Sequence, residues 1–246
     1  MTQMQTYLVN EVYRCLQGEG TQLGMPSVLV RLQVCNLRCS WCDTPYTHTL
    51  KSDPLGEGGL NSKQRYKRLS VDELLAEIRS NANIKHVIIS GGEPTLQNLA
   101  PLAEDLQASH TLEVESSGTQ IPHKLHKSFE RFHYGMFQWN ISPKGKNAGQ
   151  ELNFEALRHW ADLSRAHPAV YFKFVVRNDN QKDDLEEVKN ILEECSIPSD
   201  RVILMAEGTS RESQTNNAWL EELCLAEGWR LTPRLHVLNH GATRGV

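Results

Sequence analysis

Three cysteines that could bind a metal lie within eight residues, at Cys35, Cys39 and Cys42. Thiolates are the metal-binding form of cysteine, and three on one short segment can converge on a metal ion or a cluster. A structural zinc site requires four ligands, and an electron-transfer iron–sulfur cluster is held by four thiolates. The segment therefore predicts either a cluster with one open iron or a zinc site completed by Asp43 or His48.

A second group of polar residues precedes the cysteines. Residues 8–16 alternate apolar and polar side chains, which predicts an edge strand, and Gln17-Gly18-Glu19-Gly20 follows it. This segment is either a simple turn or a recognition loop. In a recognition loop, Gln17 would offer both a donor and an acceptor, and Glu19 would accept hydrogen bonds from an amino-pyrimidine edge.

Two predicted buried strands, 27–33 and 86–90, end beside further candidate groups. Arg31 lies inside the first strand and requires a partner, which is either a carboxylate of the protein or that of a substrate. Gly91-Gly92-Glu93-Pro94 follows the second strand. Its glycines would let the backbone approach a ligand closely, and it lacks the Gly-Lys-Ser/Thr sequence of a phosphate loop.

The rest of the chain alternates predicted strands and helices. Ser70-Val71-Asp72-Glu73 has the form of a capping box and predicts a helix to about Ser80, and another helix is predicted to start near Thr95. The later predicted elements are strands 111–115, 137–141, 170–176, 201–205 and 229–235, and helices 153–166, 181–195 and 210–227. Such alternation predicts parallel strands joined by right-handed crossovers. We expect a single α/β domain over residues 1–246, a partial (β/α)6-type barrel open on one side, with a polar loop insertion at about 47–69.

Residues that could do chemistry directly follow these strands. Each has a structural explanation when taken alone, as a helix cap, a surface charge or a buried histidine. In parallel α/β folds, however, ligands bind at the carboxyl ends of the strands. The sequence therefore predicts one site that contains Cys35, Gly91-Gly92-Glu93, Glu115, Ser142, Lys144, Glu207 and His236.

Composition narrows the classes of partner. The 246 residues include 30 acidic and 26 basic side chains, for a net charge of -4 and a pI near 6.2, which favours a small-molecule substrate over nucleic acid. No apolar run approaches the length of a membrane helix, and residues 1–10 do not resemble a secretion signal. We therefore expect a cytoplasmic protein without a membrane partner, in which Cys15, Cys195 and Cys224 are small buried hydrophobic residues.

The CxxxCxxC spacing of Cys35, Cys39 and Cys42, together with Gly91-Gly92-Glu93-Pro94, resembles the radical S-adenosylmethionine (SAM) superfamily. The resemblance implies that the three cysteines hold a 4Fe-4S cluster and that SAM chelates its fourth iron. Electron transfer from the cluster would then release a 5′-deoxyadenosyl radical that abstracts hydrogen from the substrate. It also implies that Gly92 and Glu93 contact the methionine part of SAM, with Trp41 near the adenine.

Within that superfamily, the chain is similar to the 7-carboxy-7-deazaguanine synthase family from Leu16 almost to the C-terminus. The motifs that carry this similarity are Leu16-Gln17-Gly18-Glu19-Gly20, Arg31 four residues before Cys35, Cys42-Asp43-Thr44, Glu115-Ser116-Ser117-Gly118-Thr119 and Ile141-Ser142-Pro143-Lys144. That family converts 6-carboxy-5,6,7,8-tetrahydropterin to 7-carboxy-7-deazaguanine with loss of ammonia, on the route to deazapurines such as queuosine.

The resemblance implies a role for each matched residue. Those implied to bind substrate are Leu16, Gln17, Gly18, Glu19, Arg31 and Ser90. Those implied to bind SAM are Trp41, Cys42, Asp43, Gly92, Glu93, Ser142 and Lys144. Thr44 would ligate a magnesium ion that touches the substrate, and Glu115 is the candidate catalytic residue. The resemblance further implies a homodimer and an electron donor such as flavodoxin.

Two other functions fit part of the sequence. A glycyl-radical-activating enzyme also uses CxxxCxxC with an aromatic residue before the last cysteine, as Trp41 is here. Such an enzyme should lack the combination of Gln17, Glu19, Arg31 and Ser142-Pro143-Lys144. A zinc or electron-transfer module would leave the glycine motif after the second strand unexplained.

Overall fold

A computed structural model describes residues 5–48 and 66–245, and the strands in these ranges form one sheet. In chain order the strands are β1 (Thr6–Leu16), β2 (Pro26–Leu32), β3 (Lys67–Ser70), β4 (His86–Gly91), β5 (Thr111–Ser116), β6 (Gln138–Ile141), β7 (Val170–Val176), β8 (Val202–Ala206) and β9 (Arg230–Leu231). The helices are α1 (Val71–Arg79), α2 (Ala100–Leu106), α3 (Pro122–Leu125), α4 (Phe154–Ala166), α5 (Gln181–Cys195), α6 (Arg211–Thr215), α7 (Ala218–Glu227) and α8 (Leu235–His240).

The sheet has the order β3-β1-β2-β4-β5-β6-β7-β8-β9 and does not close into a barrel, because β3 and β9 lie at opposite ends. The six strands β2 and β4–β8 are parallel to one another, and the short β9 extends them. This arrangement confirms the predicted open, partial α/β barrel. At the other end, β1 pairs antiparallel with both β2 and β3.

The predicted position of β1 at the edge of the sheet is wrong. Its first residues, Thr6 to Val9, pair with β3, which therefore forms the edge. Strand β3 lies at the end of the predicted loop insertion, so that part of the insertion prediction is also wrong. Most of the predicted insertion, residues 49–65, lies outside the described residues.

The polar side chains of the parallel strands lie mainly on one face of the sheet. In β5, Leu112 and Val114 pack in the hydrophobic core between sheet and helices, whereas Glu113 and Glu115 alternate with them and point the other way. The core side also contains the fully buried pair Trp139 and Trp160, whose ring centroids are 4.7 Å apart. The opposite, inward side of the sheet is therefore available for polar chemistry.

The predicted helices at Ser70 and at 181–195 are confirmed. Ser70 accepts a hydrogen bond from the Glu73 backbone N–H, and the Glu73 carboxylate accepts one from the Ser70 N–H at 2.7 Å, which completes the capping box. Helix α5 spans residues 181–195 as predicted.

Three other element boundaries differ from the predictions. A 3-10 turn over Pro94–Leu96 replaces the predicted helix start, and α2 begins only at Ala100. The predicted long helix 210–227 is divided into α6 and α7 at Asn216 and Asn217. The predicted last strand is reduced to β9, so His236 lies in α8 and not directly after a strand.

Gly92 allows the end of β4 to lie against the segment that leads from β2 to Cys35. The Gly92 N–H donates to the Leu32 carbonyl at 3.0 Å, and the Glu93 N–H donates to the Val34 carbonyl at 2.8 Å. A Cβ at position 92 would lie 2.1 Å from the Val34 oxygen, which no side chain could avoid. The motif therefore holds the cysteine segment in place through the protein's own backbone.

No helix within the described ranges combines the length and apolar character needed to cross a bilayer.

We predict that Gly92→Ala lowers the free energy of unfolding by about 1–3 kcal/mol, because the added methyl group forces β4 away from the cysteine segment. Gly135→Ala is the matched control, since its Cβ would meet no atom closer than 3.9 Å. Urea denaturation of the anaerobically reconstituted protein measures both. An equal loss in the two variants would show that the close approach at Gly92 carries no stability.

Candidate active site

A cavity of about 400 Å³ opens at the carboxyl ends of the parallel strands, where ligands bind in folds of this class. It is lined by all but one of the residues for which the sequence predicts a role in the site. These are Leu16, Gln17, Gly18, Glu19, Arg31, Cys35, Cys39, Trp41, Cys42, Asp43, Thr44, Ser90, Gly91, Gly92, Glu115, Ser142, Lys144, Glu207 and His236. The exception, Glu93, is fully buried beside the cavity.

The cysteine segment is fixed to the loop that follows β6. Its Ser40 N–H donates to the Ala148 carbonyl at 3.0 Å, and the Trp41 indole N–H donates to the Asn147 carbonyl at 2.9 Å. Lys144 of the same loop lies 5.3 Å from the centre of the Trp41 ring, a cation–π contact. These contacts hold all three partly buried thiols at the cavity wall.

Glu93 joins the ends of β4 and β5. Its carboxylate accepts hydrogen bonds from the Thr95 N–H at 3.1 Å, the Ser116 hydroxyl at 2.8 Å and the Ser117 N–H at 2.7 Å. The Glu93 carboxylate is thus hydrogen-bonded within the protein, while the neighbouring Gly92 lines the cavity. The implied contact between Glu93 and SAM stays a prediction.

Glu19 is the centre of a buried charge network. Its carboxylate binds the Lys173 ammonium on one oxygen and the Arg234 guanidinium, at 3.0 Å, on the other. Burial by itself would raise the pKa of Glu19, but these two cations outweigh it and hold the pKa well below its ordinary value. Burial would likewise lower the pKa of Lys173, yet the Glu19 and Glu115 carboxylates raise it. Both groups are therefore charged at neutral pH.

The side-chain amide of Gln17 is oriented by two carboxylates of β5. Its Nε2 donates to Glu113 at 2.5 Å and to Glu115 at 3.4 Å, while its Oε1 accepts from the Glu19 N–H at 3.2 Å. Both amide hydrogens are thus used within the protein, and the acceptor capacity of Oε1 remains for a ligand. The Ser90 hydroxyl donates to the other Glu115 oxygen at 2.9 Å and so helps to fix this carboxylate.

Arg31 pairs with a carboxylate of the protein, which is one of the two alternatives that the sequence allowed. It faces Glu11 directly across β1 and β2, and its Nε donates to that carboxylate at 2.8 Å. Its Nη2 donates to the Tyr13 hydroxyl at 3.0 Å. These contacts use two of the five N–H groups of the guanidinium and keep it at the cavity wall.

The C-terminal segment contributes several residues that were not predicted. Residues 241–245 line the cavity, and Arg244 shares Glu11 with Arg31 and stacks on Tyr46 with its guanidinium carbon 3.8 Å from the ring centre. His236, which the sequence predicted at this site, also lines the cavity and packs so closely on Gly18 that a Cβ at position 18 would lie 2.2 Å from its Nδ1.

Two sequence signals pointed toward the missed residues. Lys173 is a charge within an otherwise apolar strand, and Glu113 alternates with apolar neighbours in β5. Period-two alternation would have placed both on the inward face. Arg234 and Arg244 carry no such signal, because the tail has no periodic pattern that fixes its path.

The comparisons with known proteins agree with this geometry. A sequence profile of the Radical SAM superfamily matches residues 29–144. The 7-carboxy-7-deazaguanine synthase of Pyrobaculum aerophilum is 33% identical over 244 residues, covering 96% of each chain. The protein of the same name from Halobacterium salinarum is 31% identical, covering 93% of this chain and 88% of the relative.

This chain belongs to the 7-carboxy-7-deazaguanine synthase family. The crystal structure of QueE from Escherichia coli has the same fold, with a TM-score of 0.68, 26% identity and coverage of 94% of this chain and 95% of that one. Membership in this radical SAM family implies a 4Fe-4S cluster and SAM as cofactors. It also decides against the glycyl-radical-activating enzyme and the zinc or electron-transfer module.

The arrangement of thiols fits a cluster of this kind. Cys35, Cys39 and Cys42 are partly buried and all line the same cavity. A four-iron cluster binds each thiolate through a different iron, so three thiols on one short segment beside a cavity suit it. Burial raises the pKa of Cys35 to about 11 and also raises that of Cys39. Binding iron would therefore displace protons from these thiols.

We predict that Lys173→Met lowers the free energy of unfolding by about 3–5 kcal/mol, since it leaves a buried carboxylate short of one cation. The double variant Glu19→Gln/Lys173→Met should lose less than the sum of the two single variants, because it removes both charges. Lys124→Met is the control. It breaks an ion pair with Glu155 in which both side chains are largely exposed, and stability should hardly change.

Urea denaturation of the reconstituted protein measures these differences. Strict additivity of Glu19→Gln and Lys173→Met would contradict a direct interaction between the two side chains.

Proposed function

We propose that this chain converts 6-carboxy-5,6,7,8-tetrahydropterin to 7-carboxy-7-deazaguanine with loss of ammonia, as a radical SAM lyase in the biosynthesis of queuosine and related deazapurines. One observation carries the proposal. The same cavity contains three thiols, a polar loop suited to an amino-pyrimidine edge and a guanidinium suited to a carboxylate. Carboxytetrahydropterin has these two recognition features at opposite ends of its fused ring system.

The chain's own residues bind the substrate at both ends. Gln17 and Glu19 face the amino-pyrimidine edge, Gln17 through its oriented Oε1 and Glu19 through the carboxylate held by cations. Arg31 binds the substrate carboxylate with the N–H groups that Glu11 and Tyr13 leave available. Leu16, Gly18 and Ser90 line the space between these groups.

Cys35, Cys39 and Cys42 would hold the cluster, which, with SAM bound and one electron from a reductant, would supply the 5′-deoxyadenosyl radical that starts the reaction. SAM is bound by the wall beside them, which comprises Trp41, Asp43, Gly92, Ser142 and Lys144, and by Glu93 directly behind that wall. Lys144 is partly buried against this wall, where its ammonium donates to the Ser142 hydroxyl at 2.5 Å. Burial lowers the pKa of Lys144.

Thr44 provides the protein ligand for a magnesium ion. Its hydroxyl lies 3.8 Å from the Cys42 sulfur at the cavity wall. Magnesium keeps several waters and accepts few protein oxygens, so one threonine beside a substrate carboxylate suits it. The ion would polarise the substrate during ring contraction.

Glu115 is the proposed catalytic residue. Its carboxylate lines the cavity between the Ser90 hydroxyl and the Lys173 ammonium, which is 4.0 Å away. A carboxylate held in this way can accept a proton from the substrate and return it.

The proposal also covers the oligomeric state, the electron donor and the location of the enzyme. By similarity to the 7-carboxy-7-deazaguanine synthase family, it is a cytoplasmic homodimer that receives electrons from a flavodoxin-type donor. Exposed apolar residues after β1, at Leu23 and Met25, are available for a subunit contact.

We predict that anaerobically reconstituted protein forms carboxydeazaguanine from reductant, SAM, magnesium and carboxytetrahydropterin, and that Cys39→Ala forms none. Cys195→Ala, which removes a buried thiol of α5, should keep the activity. Liquid chromatography of the product measures both. Product without added SAM, or zinc as the sole metal in protein purified without air, would disprove the assignment.

Thr44→Ala should raise the magnesium concentration for half-maximal activity by at least about tenfold while the cluster absorbance stays unchanged. Thr44→Ser, which keeps a hydroxyl, should stay near the wild-type value. Loss of the cluster in Thr44→Ala would instead identify Thr44 as a structural residue.

A further inference from the structure

Arg234 contacts three loops that come from distant parts of the chain. Its side chain is buried, with 8% of the residue exposed. Nε donates to Glu19 in the loop after β1 at 3.0 Å, and Nη2 donates to Asp43 in the cysteine segment after β2. Nη1 donates to the carbonyl of Gly208 after β8 at 3.1 Å. One guanidinium therefore spans the cavity wall.

The protein also fixes the backbone of Arg234. Its N–H donates to the side chain of Gln214 at 3.0 Å. Gln214 is itself buried in α6 and donates to the carbonyls of Ala206 and Gly208 at 3.1 and 3.2 Å. Because both its backbone and its side chain are bonded, Arg234 has little freedom to choose other partners.

Its two carboxylate partners belong to different parts of the proposed site. Glu19 lies on the side assigned to the pterin edge, whereas Asp43 stands between Cys42 and Thr44, on the side assigned to cluster and magnesium. A lysine is a single point charge and could not hold both in a fixed geometry, while the planar fork of an arginine can. The distance between pterin and cofactor thus depends on this side chain.

We propose that Arg234 is a positioning residue that keeps the pterin-binding loop and the cysteine segment in register. This inference rests on the proposed function. Through Glu19 and Asp43, Arg234 places the substrate carbon that loses hydrogen within reach of the radical formed at the cluster. Radical reactions require such alignment, because a misplaced substrate lets SAM be cleaved without product.

Arg234→Gln tests the proposal in the reconstituted holoenzyme. We expect wild-type iron content and at least about tenfold weaker equilibrium binding of carboxytetrahydropterin without SAM, because Glu19 loses a charged hydrogen-bond donor. In turnover, the ratio of 5′-deoxyadenosine to carboxydeazaguanine should rise several-fold. Arg177→Gln is the matched control. It breaks the contact between Arg177 and Asp184 at 2.7 Å, away from the cavity lining, and should change neither binding nor the ratio.

A conservative variant of Arg234 and a double variant distinguish a positioning role from a general contribution to folding. Arg234→Lys keeps the charge but not the fork, so it should restore binding only in part and keep a raised ratio. Glu19→Gln/Arg234→Gln should bind pterin no more than about twofold more weakly than the poorer single variant, since both changes break one interaction.

The positioning role would be wrong if Arg234→Gln bound pterin and formed products in the wild-type ratio, or if Arg234→Lys recovered both fully. It would also be wrong if the losses of pterin affinity in the two single variants multiplied in the double variant, or if both Arg234 variants lost iron. Wild-type protein that cleaves SAM but forms no carboxydeazaguanine would instead overturn the proposed function.

Discussion

The site depends on one buried carboxylate and the cations that neutralise it. A charge cannot be removed from water without partners, and Glu19 lies inside the cavity wall with Lys173 and Arg234 on its two oxygens. These partners come from β7 and from the segment before α8. The charge balance therefore brings the loop after β1, the middle of the sheet and the tail together, and it also leaves Glu19 charged at the cavity wall.

The second constraint is the close approach of backbone at the ends of β2 and β4. Parallel pairing aligns Arg31 with Ser90, and beyond it the glycines allow two more hydrogen bonds toward Cys35. The cysteine segment is then joined to the loop after β6 through Trp41. A metal-binding segment that is otherwise irregular is thus held rigidly at both ends, as a cluster site in a radical enzyme requires.

The open sheet separates stability from chemistry. Apolar residues of the strands pack against the helices on one face, and the polar residues of the strands face mainly inward, so that the core can be dense while the cavity carries polar groups. Glu113 influences the cavity although it does not line it. It is fully buried beneath the cavity, and by accepting from the Gln17 amide it determines which Gln17 atom is left for a ligand. Burial raises the pKa of Glu113, while hydrogen bonds from His86 and Gln17 favour its charged form.

The local sequence was sufficient for the open, mostly parallel α/β sheet, for the cysteine segment and for the residues at the strand ends, because alternation, capping and turn signals act over a few residues. Arg31, Ser90 and Glu115 line one cavity since parallel strands share a carboxyl edge, whereas Gln17 reaches the same cavity from the antiparallel β1. Tertiary structure alone decided that β3 forms the edge, that Arg31 pairs with Glu11, and that Arg234 and Arg244 reach the cavity. Those outcomes depend on contacts between residues tens to hundreds of positions apart, which burial and charge neutralisation select only after the chain has folded.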